Sequence, residues 1–308
     1  MSPPRTSSDP IGVLAAVATY VAWGAFPLYW RQLASVPAFQ ILAHRSFWSL
    51  VFVGALVMWR GELRGIVAAC SDRRVLITYL LSGCLLAVNW VVSIWGVNHA
   101  HAIEVSLGYF ITPLVNVALG VVVLRERLRP LQAAAVALAF IAVVAMTVVL
   151  GTLPWVALAL AGSFGSYGLV RKMGGLDPFR GLLLETAWLA PFGLGAMIYW
   201  ESAGNGAFLH DGWLIAFLLI MGGAVTSIPL IWYARAMRSL RLSTMGLLLF
   251  ITPSCQFAVA LGIFREPLSR AQSIAFPVIW LALCIYIYDA IITAPRAPRA
   301  PLGDTPTD

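Results

Sequence analysis

Apolar residues in this chain come in blocks of about 18 to 22, separated by short polar breaks. An α-helix of that length crosses a hydrocarbon core roughly 30 Å thick. The pattern predicts ten spans, at 11–30, 38–58, 75–97, 103–124, 132–150, 153–170, 179–199, 213–234, 243–263 and 272–292. The first block is too long for the apolar core of a signal peptide. It has only Arg5 ahead of it and no small-x-small cleavage site, so it reads as the first span. The tails, 1–10 and 293–308, are rich in proline and charge and are expected to be disordered.

Composition narrows the solvent. Hydrophobic residues make up 60% of the 308 and charged residues 11%, where soluble domains average roughly 45 to 50% and 25%. An aqueous fold could not hide so much apolar surface, so the expected class is an all-α polytopic membrane protein. The net charge of +7 does not call for a nucleic acid partner, because topology accounts for it. Arg60, Arg64, Arg73, Arg74, Arg125, Arg127, Arg129, Arg171, Lys172, Arg180, Arg235, Arg238 and Arg241 fall in even-numbered connections, and Arg5, Arg296 and Arg299 in the tails. Odd-numbered connections hold only Arg31, Arg265 and Arg270, and Arg45 lies within a span. Retained loops keep their basic residues on the cytoplasmic side, which predicts cytoplasmic N- and C-termini. Cys70, Cys84, Cys255 and Cys284 lack metal-type spacing and read as filler.

One phrase is written twice. "FITP" occupies Phe110 to Pro113 and again Phe250 to Pro253, and each copy is followed by "RE", at Arg125-Glu126 and Arg265-Glu266. At the same offset Leu107 matches Leu247, Ala118 matches Ala258, Leu128 matches Leu268 and Gln132 matches Gln272. Shifted by one more residue, "WGAF" from Trp23 faces "FGSY" from Phe164, and Pro37 faces Pro178. The chain therefore divides into halves, 11–150 and 151–292, of five spans each. Five is odd, so the second copy enters the membrane from the opposite side. Inverted-topology repeats of this kind recur in secondary transporters, where two similar halves exchange conformations around a midplane site.

The run "NWVVSIWGVNHAHAIEVSLGYFITPLVNVALGVVVLRERL" from Asn89 to Leu128 resembles the RarD branch of the EamA family, in the drug/metabolite transporter superfamily. "AHRSFWS" from Ala43, "SFGSYGLVRK" from Ser163 and "LLLETAWLAP" from Leu182 extend the resemblance over essentially the whole chain outside the tails. Thr112 departs from it, standing where that family usually has Asn before the proline. The resemblance implies ten helices in two inverted EamA repeats, a bacterial inner-membrane location, and a transporter linked by name to chloramphenicol sensitivity.

Few residues inside the spans carry chemistry. A charge at the bilayer centre costs roughly 2.5 to 3.5 kcal/mol on insertion scales, so His44, Arg45 and Glu185 are the first cavity candidates. Glu185 is also the candidate for proton coupling, with Arg45 and His44 as a matching polar station. Against this stands a structural role, in which Arg45 binds helix-end carbonyls and Glu185 pins a neighbouring helix. His44 and Glu185 are repeat equivalents, each about 10 Å inside opposite interfaces at 1.5 Å per residue, which argues against a permanent direct contact. Asn89, Trp90 and Ser93 share a helix face that offers a stacking surface and hydrogen bonds, with Tyr109 beside them. Trp23, Tyr167, Trp232 and Tyr233 are weaker candidates for aromatic walls, since such residues also form interfacial belts, the role expected of Trp95. Thr112, Pro113, Thr252 and Pro253 are hinge candidates, because each proline withholds a backbone donor and can bend its helix.

Other motifs are read as structural. "HAH" at His99 to His101 lacks a second ligand cluster, so no metal or other cofactor is expected. Glu104 is expected to cap the fourth span, and the Arg-Glu pairs to be solvated caps. No G-x-x-x-x-G-K-[ST] loop, H-E-x-x-H or G-x-S-x-G occurs, which leaves little room for ATP binding or an enzyme. The expected partners are a small-molecule substrate, the lipid bilayer and, as coupling ion, protons; oligomeric state is not legible. The expected function is a secondary transporter, with export favoured. An uptake permease, or a membrane-embedded enzyme or sensor, is the alternative.

Overall fold

A computed structural model of the chain describes residues 9–98, 102–150, 155–265 and 270–292. His99 to His101 and Glu266 lie outside the described residues, and so does the side chain of Asn98. Every regular element described is helical: α1 (Pro10–Trp30), α2 (Ala38–Trp59), α3 (Leu63–Ser71), α4 (Arg73–Asn98), α5 (Ala102–Val122), α6 (Pro130–Leu150), α7 (Trp155–Met173), α8 (Pro178–Ser202), α9 (Ala207–His210), α10 (Trp213–Ser239), α11 (Leu242–Leu248), α12 (Ile251–Gly262) and α13 (Arg270–Ile292). Six helical segments among the described residues, Pro10–Leu33, Ala38–Trp59, Arg73–Ser93, Pro178–Ser202, Trp213–Ser239 and Leu242–Val259, are long and apolar enough to cross a membrane.

Local sequence explains the boundaries. At α1 and α8 an Asp precedes a Pro: Asp9 accepts from Ile11 N at 3.1 Å and Asp177 from Phe179 N at 3.0 Å. The carboxylate satisfies an orphan amide, and the proline at the first helical position has no donor to waste. The long helices α1, α2, α8 and α10 lack the amphipathic pattern of water-soluble helices. Leu14, Phe140, Val148 and Phe192 face outward while Thr19, Ser49, Ser82, Asn116 and Glu185 are buried. Apolar side chains outside and polar groups inside suit a helix bundle solvated by lipid.

Because lipid is as apolar as leucine, close backbone approach holds such a bundle together. α2 packs on α8 and α10, α5 on α7 and α11, α1 on α10 and α12, and α6 on α13. Small residues mark the crossings. A Cβ added to Gly193 of α8 would sit 2.7 Å from the Ala43 carbonyl of α2, and one on Gly246 of α11 would sit 2.6 Å from the Pro113 carbonyl of α5.

The two FITP copies differ. α5 continues through Pro113, whereas the second copy separates α11 from α12 at Leu249 and Phe250. Thr112 Oγ1 donates to Gly108 O at 2.7 Å, tying its own helix turn together. Thr252 Oγ1 instead donates across to Tyr20 O of α1 at 3.1 Å, and Thr252 N donates to Leu249 O at 3.0 Å. The RE segments agree more closely. Arg125 and Arg265 adopt φ of 55° and 54°, the only non-glycine residues at positive φ among those described. Val123 N and Leu124 N both donate to Leu119 O, at 2.9 and 3.3 Å, as Ile263 N and Phe264 N do to Val259 O, at 3.0 and 3.1 Å.

Glu126 is not a solvated cap. Its carboxylate accepts from Leu242 N at 2.8 Å, Ser243 N at 3.0 Å and Ser243 Oγ at 2.6 Å, so the first RE segment caps α11. The amides of a helix start and its positive dipole end make this a favourable seat for a carboxylate. Glu104 lies in the first turn of α5 and also accepts from Val156 N of α7 at 3.1 Å.

Candidate functional site

A cavity of about 410 Å³ opens among α1, α2, α4, α5, α7, α10 and the α11–α12 break. Its wall is mainly aromatic and aliphatic, with Trp23, Phe26, Trp30, Trp90, Tyr109 and Phe164 supplying rings. Arg45, Asn89, Ser93, Thr112, Thr226, Thr252 and Gln256 supply the polar groups. All the helix segments that line it lie toward one end of the bundle. They are the C-terminal parts of α1 and α4, the N-terminal parts of α2, α5 and α7, and the middle of α10 and of the broken helix.

Arg45 is the only charged residue of the lining among the described residues. It sits about two turns into α2, which places its Cα roughly 10 Å along the helix at 1.5 Å per residue. Its guanidinium carbon lies 3.9 Å from the centre of the Trp90 ring and 5.6 Å from that of Trp30. Arg45 Nε is buried without a hydrogen-bond partner. Neither helix-end carbonyls nor Glu185 engage it among the described residues. The Asn89 amide is fixed by donating to Leu160 O at 3.1 Å and Ser163 Oγ at 3.2 Å, so its position on the wall is set by α7. Thr226 Oγ1 is buried and has no partner.

The other charged candidates lie elsewhere. His44, next to Arg45, points away from the cavity: its ring stacks on Phe208 with centres 5.0 Å apart, and its Nδ1 accepts from Trp48 Nε1 at 3.3 Å. Successive helix positions are about 100° apart, so neighbours in sequence seldom share a face. Glu185 is fully buried in a second polar centre, where its Oε1 accepts from Ser82 Oγ at 2.5 Å and pairs with Arg171 Nη1 at 3.2 Å. Arg45 and His44, expected to form one polar station, thus face different surroundings, and Glu185 stands apart from both, in keeping with the expected lack of direct contact. Arg171, read from sequence as a loop charge, is in the last turn of α7 and buried. A basic residue beside a glycine-rich turn gave no sign that it would fold inward.

Tyr167 and Tyr233 lie behind the wall. Their rings stack with centres 5.8 Å apart, Tyr233 is 5.5 Å from Trp23, and Tyr167 Oη donates to Glu185 Oε2 at 3.5 Å. These rings join the cavity wall to the second polar centre. Trp232 is partly exposed and is not part of the lining. Thr112 and Thr252 reach the lining, whereas Pro113 and Pro253 do not. Sequence reading missed Thr226 and also Asn116, whose side-chain amide is buried on α5 with no partner for either polar atom. It lies where Gly246 lets α11 approach, and only the crossing reveals it.

Residues 10–148 match the model of the EamA-like transporter family. Protein RarD of Streptomyces exfoliatus is 41% identical over 293 residues, covering 93% of this chain and 91% of that one. Protein RarD of Escherichia coli strain K12 is 38% identical over 291 residues, covering 94% and 97%. The chain belongs to the EamA family, as a RarD-type permease. An uncharacterized transporter of Vibrio cholerae is 38% identical over 289 residues, with 94% and 96% covered. A crystal structure that is 17% identical superposes with a TM-score of 0.72 over 92% of this chain and 99% of that one, which marks a shared fold. Together these make the chain a multi-pass membrane transporter rather than an enzyme.

Proposed function

We propose that this permease moves a small molecule across the bacterial inner membrane by alternating access, in the direction of export. One observation carries the reading: the cavity lies toward one end of the bundle while the other end is tied shut across the two halves. At the tied end two contacts cross the halves, Tyr20 Oη donating to Met245 O at 2.9 Å and Glu126 capping α11, and within the second half Lys172 donates to the carbonyls of Met237 and Leu240. The Arg171–Glu185 pair lies on the same side. A site reachable from one end and locked at the other is what alternating access requires of each resting state.

Orientation follows from charge. The tied end carries the even-numbered connections, which hold most of the basic residues, so it is read as cytoplasmic with both termini. The cavity then faces outward, the state in which an exporter releases its cargo. The matched turns at Arg125 and Arg265 support two inverted repeats of five spans each, 11–150 and 151–292, whose exchange of conformations would open the opposite end. Proton coupling would use Glu185, which is paired while the cytoplasmic side is shut and would become free to titrate once α7 and α8 separate.

Metabolite profiling inside and outside cells, with the gene deleted or overexpressed, tests the reading. A compound that accumulates inside on deletion and outside on overexpression is the expected result, and the reverse pattern would make this an uptake permease. If no compound redistributes in either strain, the transporter reading of this cavity is wrong.

A further inference from the structure

The cavity's single charge suggests what it takes. We infer that the substrate is a small organic anion with a flat apolar body, its carboxylate seated on Arg45 and its ring against Trp90. This deepens the transporter reading and rests on it for the direction of movement, though not for binding.

Arg45 stands in a wall of aromatic and aliphatic side chains with no acidic residue among the described lining. Its Nε is sealed from solvent without a hydrogen-bond partner, and no described carboxylate pairs with it. The second polar centre shows how this fold treats an arginine needed only for structure: Arg171 is buried against Glu185 at 3.2 Å and also reaches the Pro178 carbonyl. Arg45 has neither kind of partner; the faces of Trp90 and Trp30 hold it. Ring quadrupoles orient a guanidinium without neutralising it. An ionisable side chain kept at membrane depth with its charge uncompensated marks a place where an anion belongs. The planar guanidinium fork matches a carboxylate through two parallel hydrogen bonds.

The remaining lining defines the body of the ligand. Trp23, Phe26, Trp90 and Phe164 offer flat apolar faces, and 410 Å³ suits a molecule of one or two rings. Thr226 Oγ1, buried without a partner, and Ser93 offer further single hydrogen bonds. With only one cation among the described lining residues, a single negative charge is matched, and a second would be buried unpaired.

The test uses purified full-length protein in detergent, with binding read from quenching of tryptophan fluorescence. The probes are matched sets: benzoate, 1-naphthoate and indole-3-acetate, each with its neutral amide and its methylamine or ethylamine analogue. At least one acid is expected to bind roughly tenfold or more tightly than its amide, with the amine weakest. R45Q should abolish the preference while leaving the amide's affinity within about twofold, and R45K should retain part of it because the charge stays but the fork is lost. Monodispersity on gel filtration controls for folding. Amides or amines binding as well as the acids, no acid binding at all, or an unchanged preference in R45Q would each overturn the proposal. Uptake of the same probes into proteoliposomes separates the two readings. Arg45-dependent binding of an acid that is never moved would remove transport and keep the anion site. Transport with no preference for the acid would do the reverse.

Discussion

Arg171 and Glu185 form an ion pair of 3.2 Å across the α7–α8 turn, with 3% and 0% of their side chains exposed. Ser82 Oγ and Tyr167 Oη donate to the same carboxylate, so both of its oxygens are satisfied. Removing one member of such a pair strands the other. E185Q should lower stability by about 3 to 5 kcal/mol, and the double variant E185Q/R171Q should recover most of that loss. Thermal unfolding in detergent measures both. If E185Q instead unfolds like the wild type and transport loses its dependence on pH, the residue serves proton coupling.

Glu126 ties the end of α5 to the start of α11, accepting two amide bonds and the Ser243 hydroxyl. A helix cap contributes about 0.5 to 2 kcal/mol. If the tie favours the outward-open state, E126A should shift the population toward the other state by roughly fivefold for each 1 kcal/mol. A cysteine placed at Ser93, in a variant whose native cysteines are replaced by serine, reports this through a membrane-impermeant thiol reagent. The expected result is slower labelling with E126A, and unchanged labelling of a folded protein would remove Glu126 as a lock.

How far the sequence reaches depends on the scale of the interaction. Helix positions follow from the lengths of the apolar blocks, because burial of a whole span in lipid swamps local preferences; α1, α2, α8 and α10 begin within a residue or two of the expected positions. Arg45, Asn89, Trp90, Ser93, Tyr109 and Trp23 come together on the cavity wall because polar and aromatic residues at membrane depth have few other uses. Contacts between helices were not legible. Arg171 looked like a loop charge and Glu126 like a solvated one, since the local sequence of neither names its partner, 14 residues on for Arg171 and 116 for Glu126. The break in the second FITP copy was hidden for the same reason: Tyr20, which takes the Thr252 hydroxyl, lies 232 residues away.

The left-handed turns at Arg125 and Arg265 make a paired prediction. For a residue with a Cβ this conformation costs roughly 1 to 2 kcal/mol, and glycine escapes that cost while gaining freedom in the unfolded chain. R125G and R265G should therefore each leave stability unchanged or raise it by up to about 1 kcal/mol. R125V and R265V should lower it by about 1 to 2 kcal/mol, because a β-branched residue fits there worst. Thermal unfolding of the four variants checks this. Similar changes at the two sites are expected of equivalent turns, and strong destabilisation by glycine at either would mean that its arginine side chain holds the fold there.

Pro113 and Pro253 stand in the same phrase but in different surroundings. Pro113 lies inside the continuous α5, where alanine could restore the bond to Tyr109 O while Thr112 keeps its own bond to Gly108 O. Pro253 is the third residue of α12, where an amide would have no partner within that helix. Proline there supplies no amide for Leu249 O, and Leu249, at the break between α11 and α12, is part of the cavity wall. P253A should therefore change the transport rate per folded molecule by several fold at nearly normal protein level, while P113A should change the rate little and stabilise the protein modestly. Rates in proteoliposomes, normalised to the monodisperse fraction, measure this. Equal changes in rate would mean that both copies flex, and equal losses of protein with unchanged rate per molecule would make both prolines bends that serve packing alone.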